Sequence, residues 1–139
     1  MGKSDKTMIS VCMATYNGEK YIREQVESIL CQLGPEDEIV ISDDGSKDHT
    51  IQMVDSLDKR IKVFLNEGKH GVVPNFENAL KHSSGDYIFF SDQDDIWSPD
   101  KVERCLHALE DSDLVVHNSR VFQYRARVLC LRSPTQNCI

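Results

Sequence analysis

The chain has 139 residues, 40% of them hydrophobic and 28% charged, with a formal net charge of −7. That is the composition of one modest soluble domain with a real core. The negative balance excludes a generic nucleic-acid-binding surface, so any bound phosphate must be held by a metal ion or by local backbone N–H groups. Five cysteines, Cys12, Cys31, Cys105, Cys130 and Cys138, form no CxxC pair and no zinc spacing with histidine, and read as reduced thiols of a cytosolic protein. No run of 18 apolar residues exists, and the polar start Met1-Gly2-Lys3-Ser4-Asp5-Lys6 is not a signal peptide.

Residues 8–14 are short and apolar and predict a first strand, closed by the turn cluster Thr15-Tyr16-Asn17-Gly18. From Glu19, the 3–4 spacing of Tyr21, Ile22, Val26, Ile29, Leu30 and Leu33 predicts a helix that Gly34-Pro35 stops. Residues 38–42 predict a second strand ending at Asp43-Asp44-Gly45-Ser46. Asp48 is a candidate N-cap for a helix carrying Ile51, Met53, Val54 and Leu57. Residues 61–65 predict a third strand and residues 66–71 a loop with two glycines. A third helix is predicted from Pro74 through Lys81, ended by Ser83-Ser84-Gly85. Residues 86–90, apolar, aromatic and β-branched, read as a buried, central strand. Ser98-Pro99-Asp100 signals a fourth helix, running from Pro99 to about Glu110. Residues 113–117 predict a fifth strand. The end of the chain carries Arg125, Arg127 and Arg132 without an acid and shows no helix or strand period. Residues 123–139 are therefore expected to be an irregular tail, truncated or disordered.

Strict alternation of short apolar strands and amphipathic helices predicts an α/β fold, a mainly parallel sheet with helices on both faces. Right-handed crossovers bring the strand-to-helix loops to one edge, where open α/β sheets place ligands. Three of those loops are polar: residues 15–19, residues 43–46, and Asp92-Gln93-Asp94-Asp95. Clustered carboxylates repel one another, and the simplest stabiliser is a hard divalent cation, Mg²⁺ or Mn²⁺. The histidines at 49, 70, 82, 107 and 117 show no ligand spacing. Trp97 is expected to anchor its loop rather than to stack on a sugar.

These loops, Val11-Cys12-Met13-Ala14-Thr15-Tyr16-Asn17-Gly18, Ile41-Ser42-Asp43-Asp44-Gly45-Ser46 and Asp92-Gln93-Asp94-Asp95-Ile96-Trp97-Ser98-Pro99-Asp100-Lys101, resemble in type and order the amino-terminal half of family 2 glycosyltransferases of the GT-A fold. The resemblance covers residues 8–122 and is most similar to the rhamnosyltransferase-like branch of bacterial cell-surface polysaccharide enzymes. It implies a Rossmann-like nucleotide-sugar-binding half. Thr15, Tyr16 and Glu19 would line the base and ribose pocket. Asp43 would accept a hydrogen bond from a pyrimidine base, while Asp44 and Gly45 shape the turn. Asp92-Gln93-Asp94 would be the family's DxD, with Asp94 the main metal ligand and Asp92 touching ribose or the metal through water. Asp95 would support the loop or meet the donor sugar, and Lys69 would reach a phosphate. The family's usual arginine further along is absent.

The resemblance implies an inverting, metal-assisted transfer from a UDP- or dTDP-linked sugar to a glycan or lipid-linked surface acceptor. The expected location is cytoplasmic, peripheral at the inner membrane face. Members of the family usually run well beyond 200 residues, so the general base is expected beyond Ile139, with no catalytic residue in this chain. An exposed sheet edge offers a homodimer contact. Two alternatives stay open on the same residues: a binding-only nucleotide and metal fragment, and a nucleotidyltransferase. The latter wants a glycine- and arginine-rich loop after the first strand, which Thr15-Tyr16-Asn17-Gly18-Glu19 is not. A receiver-like signalling domain would want acids directly after that strand.

Overall fold

A computed structural model of the chain describes residues 7–117. The alternation read from the sequence is realised as β1 (Ile9–Thr15), α1 (Ile22–Leu30), β2 (Glu38–Asp43), α2 (Thr50–Val54), β3 (Ile61–Leu65), α3 (Val72–Lys81), β4 (Tyr87–Asp92) and α4 (Lys101–Leu109). The four strands form one parallel sheet in the order β3-β2-β1-β4. The chain divides into two compact units at Trp97 and Ser98. The first holds the sheet with α1 to α3, and the second holds α4.

β1 and β2 are the inner strands and bury nearly every residue, as parallel strands covered on both faces must. Side chains alternate between the faces. On one face Cys12, Val40 and Ala79 of α3 form a buried cluster against which Phe64 and Ile88 pack. On the other face lie Val11, Met13, Ile39 and Ile41, all buried. Here α1 contributes Ile22, Val26 and Ile29, and its Gln25 Nε2 donates to Ser91 Oγ of β4 at 2.8 Å. α2 lies beside α1. The α1-to-β2 turn is held by Arg60, whose Nη1 donates to the Leu33 carbonyl at 2.8 Å while Asp58 pairs with its guanidinium at 2.9 Å.

At the amino ends of the strands a charged group sits inside the fold. Glu38 is 2% exposed. It accepts hydrogen bonds from Ser10 Oγ at 2.6 Å, Ser84 N at 2.8 Å and Ser84 Oγ at 3.0 Å, and from Lys62 Nζ at 2.6 Å. Burial works against its charge, but the hydrogen bonds from Lys62, Ser10 and Ser84 together outweigh it and hold the carboxyl down to about 2.

Several expectations are corrected. β4 is not a central strand: among the described residues it pairs with β1 alone, and Phe90 is 54% exposed. Its apolar run reflects partial cover by Phe76, which meets Phe90 edge-on at 5.7 Å, and by Trp97 against Phe89. The fifth strand does not form, since residues 113–117 carry no strand and Leu114 is 78% exposed. A β-branched run becomes a strand only where a partner edge accepts its backbone. α1 starts at Ile22 because residues 19–21 form a turn closed by Tyr21 N and Ile22 N on the Gly18 carbonyl. α3 starts at Val72, before Pro74, which sits in its first turn. α4 starts at Lys101, after a turn through Pro99 that donates Lys101 N to the Ser98 carbonyl. The irregular tail at 123–139 lies outside the described residues.

Candidate functional site

The register places Thr15 beside Asp43 and Ala14 beside Asp92, so β1, β2 and β4 end together. Their loops open into a cleft of about 610 Å³. Thr15, Tyr16, Asp44, Asp92 and Asp94 border it, as do Lys47, His70, Gly71, Asn75 and Gln93.

The two adjacent acids after β2 have different tasks. Asp43 is buried and faces its own turn. Its Oδ1 accepts from Thr15 Oγ1 at 2.7 Å and Ser46 Oγ at 2.6 Å, and its Oδ2 accepts from Gly45 N at 3.0 Å and Ser46 N at 2.7 Å. Four donors occupy both oxygens. The turn needs Gly45 at a φ of +83°, in the left-handed region. Asp44 borders the cleft instead. Its oxygens accept from Asn66 Nδ2 at 2.7 Å and Gly71 N at 2.8 Å, one donor each, which leaves acceptor capacity on both.

The turn after β1 is stapled to the one after β2. Asn17, at a φ of 47°, donates its N–H to Ser46 Oγ at 2.8 Å, and its Oδ1 accepts from Lys47 N at 2.9 Å. Tyr16 is left 54% exposed at the cleft. Asn75, on the first turn of α3, donates Nδ2 to the Thr15 carbonyl at 3.2 Å, and its buried Oδ1 accepts from no donor among the described residues.

The acidic turn after β4 is fastened to the same place. Gln93 Oε1 accepts from Tyr16 N at 3.0 Å, and Gln93 Nε2 donates to the Tyr16 carbonyl at 3.1 Å. Gly18 is bare for the same reason, since a Cβ there would sit 2.3 Å from Gln93 Oε1. Burial, and then the neighbouring charges of Asp95 and Asp94, push the Asp92 carboxyl above its usual range. Trp97 is 4% exposed and anchors the turn, its backbone N–H donating to Ser28 Oγ at 3.1 Å.

Of the residues picked from sequence, Thr15, Tyr16, Asp44, Asp92 and Asp94 meet at the cleft. Three do not. Asp43 supports the turn from inside. Glu19 turns to α2, where its Oε2 accepts from His49 N and pairs with His49 Nδ1, each at 2.9 Å. Lys69 does not border the cleft, while His70 beside it does. Lys47, His70, Asn75 and Gln93 were missed. Gln93 had a signal in its place between two singled-out acids, and Lys47 in directly following the Asp43-Asp44-Gly45-Ser46 turn. His70 and Asn75 had none short of the fold.

Among the described residues, no three His, Cys, Asp or Glu side chains form a ready metal cage. Asp92 and Asp94 are hard oxygen donors at the rim of a cleft, where burial first and the neighbouring carboxylates second disfavour the Asp92 charge, and a cation would offset both. That donor set fits Mg²⁺ or Mn²⁺, which take one or two carboxylates and complete their shell with substrate phosphates and water.

Comparison with known proteins agrees with this geometry. Residues 10–132 match the model of the glycosyl transferase family 2. The chain is similar to the dTDP-rhamnosyl transferase RfbG of Shigella flexneri, 38% identical over 81% of this chain and 42% of RfbG. In structure it resembles Staphylococcus aureus TarS 1-349 in complex with UDP-GlcNAc. The TM-score there is 0.65 at 32% identity, over 75% of this chain and 31% of TarS. It also resembles glucosyl-3-phosphoglycerate synthase from Mycobacterium tuberculosis in complex with Mn²⁺, UDP and glucosyl-3-phosphoglycerate, with a TM-score of 0.66 at 25% identity over 78% of this chain and 41% of that one. The chain thus spans less than half the length of these relatives. With the parallel sheet, the three converging loops and the family match together, the chain belongs to glycosyl transferase family 2.

Proposed function

We propose that this chain is the donor-binding part of a glycosyltransferase that takes a sugar from a UDP- or dTDP-linked donor with help from a divalent metal. The observation that carries the reading is the convergence of three strand ends on one cleft. Tyr16 supplies an aromatic face, Asp44 supplies unfilled acceptor capacity, and Asp92 with Asp94 supply hard oxygen donors. Asp44, rather than the saturated Asp43, is then the acceptor for a pyrimidine ring N–H. Tyr16 covers the base, and Thr15 joins the pocket wall. Lys47 and His70, which border the cleft as Lys69 does not, are the side chains that would donate to diphosphate oxygens. Glu19 acts on the pocket from outside by holding His49.

Asp94 is the principal metal ligand and Asp92 the second, meeting ribose or the metal through water. A bound Mg²⁺ or Mn²⁺ supplies Lewis-acid neutralisation of the departing diphosphate. The Gln93 amide holds these acids against the Tyr16 turn, and Asn75 fixes the Thr15 carbonyl. The acceptor is a growing surface glycan or its lipid-linked precursor. Inversion at the sugar carbon calls for a general base within hydrogen-bond reach of the acceptor hydroxyl, and no residue bordering this cleft is assigned that part.

The test is calorimetric titration of UDP, dTDP and GDP into the whole chain, with and without Mn²⁺, for wild type and Asp94→Ala. Metal-dependent binding of a pyrimidine diphosphate that Asp94→Ala abolishes is the expected result. Failure of a folded chain to bind any of the three overturns the proposal.

A further inference from the structure

The link between the Tyr16 turn and the acidic turn is unusual in form. Gln93 uses both ends of its amide on one residue, accepting from Tyr16 N at 3.0 Å and donating to the Tyr16 carbonyl at 3.1 Å. The amide thereby pairs with both backbone groups of one residue, as a residue of a neighbouring antiparallel strand would, across 77 residues of sequence. Its two sequence neighbours, Asp92 and Asp94, are two of the acids at the cleft, and Tyr16 is the aromatic wall of the same cleft. A bidentate bond fixes orientation as well as distance, since neither hydrogen bond survives a rotation that preserves the other. Gly18 leaves the amide the space it needs, because a Cβ would stand 2.3 Å from Oε1 and 2.7 Å from the amide carbon.

We infer that Gln93 is a positioning residue that couples the nucleoside-binding turn to the metal-binding acids, so that donor and metal bind cooperatively. The inference rests on the donor-site reading above. Moving the acids toward a cation moves the Tyr16 backbone through the same amide, and seating a base against Tyr16 returns the favour. Coupling of this kind is reciprocal and is read as the ratio of nucleotide affinities with and without metal. Part of that ratio comes from direct contact of metal with diphosphate, and the rest travels through Gln93.

The experiment measures Kd for UDP, with dTDP in parallel, by calorimetry with and without Mn²⁺, on the full chain as wild type, Gln93→Met and Gly18→Ala. Met keeps the length and removes both hydrogen bonds. Gly18→Ala displaces the amide while leaving residue 93 intact, so it carries the test if Gln93→Met does not fold. Thermal unfolding identifies the folded variants. The metal enhancement is expected to fall by about fivefold or more in a folded variant, the lower range of ordinary coupling between sites. A residue that merely stiffens the Tyr16 turn would weaken UDP equally in both conditions. An unchanged ratio in a folded variant therefore overturns the inference while leaving the donor site standing. A wild-type chain that binds neither nucleotide overturns the donor-site reading, and this inference with it.

Discussion

Replacing Glu38 by Gln removes a carboxylate that the fold has taken almost wholly out of water. Its pKa falls from 4.5 to about 2 on folding, because the hydrogen bonds of Lys62, Ser10 and Ser84 outweigh the cost of burial. A group whose pKa is lowered in the folded state contributes stability above its unfolded value, and that stability is lost as pH falls toward the folded value. At about 1.36 kcal/mol per pH unit, the drop corresponds to about 3 kcal/mol at neutral pH, of which about 2 kcal/mol is gone by about pH 3. Urea unfolding at about pH 7 and about pH 3 measures it, with the variant as control. Asp58, also held down to about 2 by Arg60, titrates in both proteins and cancels. Wild type should lose about 2 kcal/mol more than Glu38→Gln between the two conditions. Equal losses would refute the argument and show that the Glu38 charge is not held by its partners.

The acids after β2 should separate by phenotype. Asp43→Ala strips the acceptor from four hydrogen bonds and should cost about 2–4 kcal/mol of stability. Asp44→Ala should leave stability within about 1 kcal/mol and weaken pyrimidine diphosphate binding. The reverse pattern in paired urea and calorimetric titrations would sink the assignment. Gly85→Ala would place a Cβ 2.6 Å from the Ser10 backbone nitrogen, where nothing flexible can yield, and should destabilise by about 1–3 kcal/mol. Unchanged urea unfolding would show that β1 gives way there.

Periodicity and turn chemistry sufficed for much of the molecule. The first four strands, the helices between them and the parallel character of the sheet follow from apolar runs punctuated by Gly34-Pro35, Gly45 and Gly85, because those signals are local. The site's general place followed too, since parallel strands joined by right-handed crossovers must send their loops to one edge. What local signals could not supply was which edges pair and which way each side chain faces. The run at 113–117 has the composition of a strand and is not one among the described residues. Phe90 belongs to an apolar stretch and lies largely exposed.

Asp43 and Asp44 are identical in type and adjacent in sequence, so only the pleat and the left-handed turn at Gly45 decide that the first is consumed by Thr15, Gly45 and Ser46 while the second reaches the cleft. Gln93 reads as a spacer between two acids until tertiary structure sets it against Tyr16. The sequence by itself determined which chemistry gathers at one edge of the sheet, because strand direction is encoded in alternation. Only the tertiary structure decided which atoms of those residues remain free to act, because hydrogen-bond capacity is shared between partners far apart in the chain.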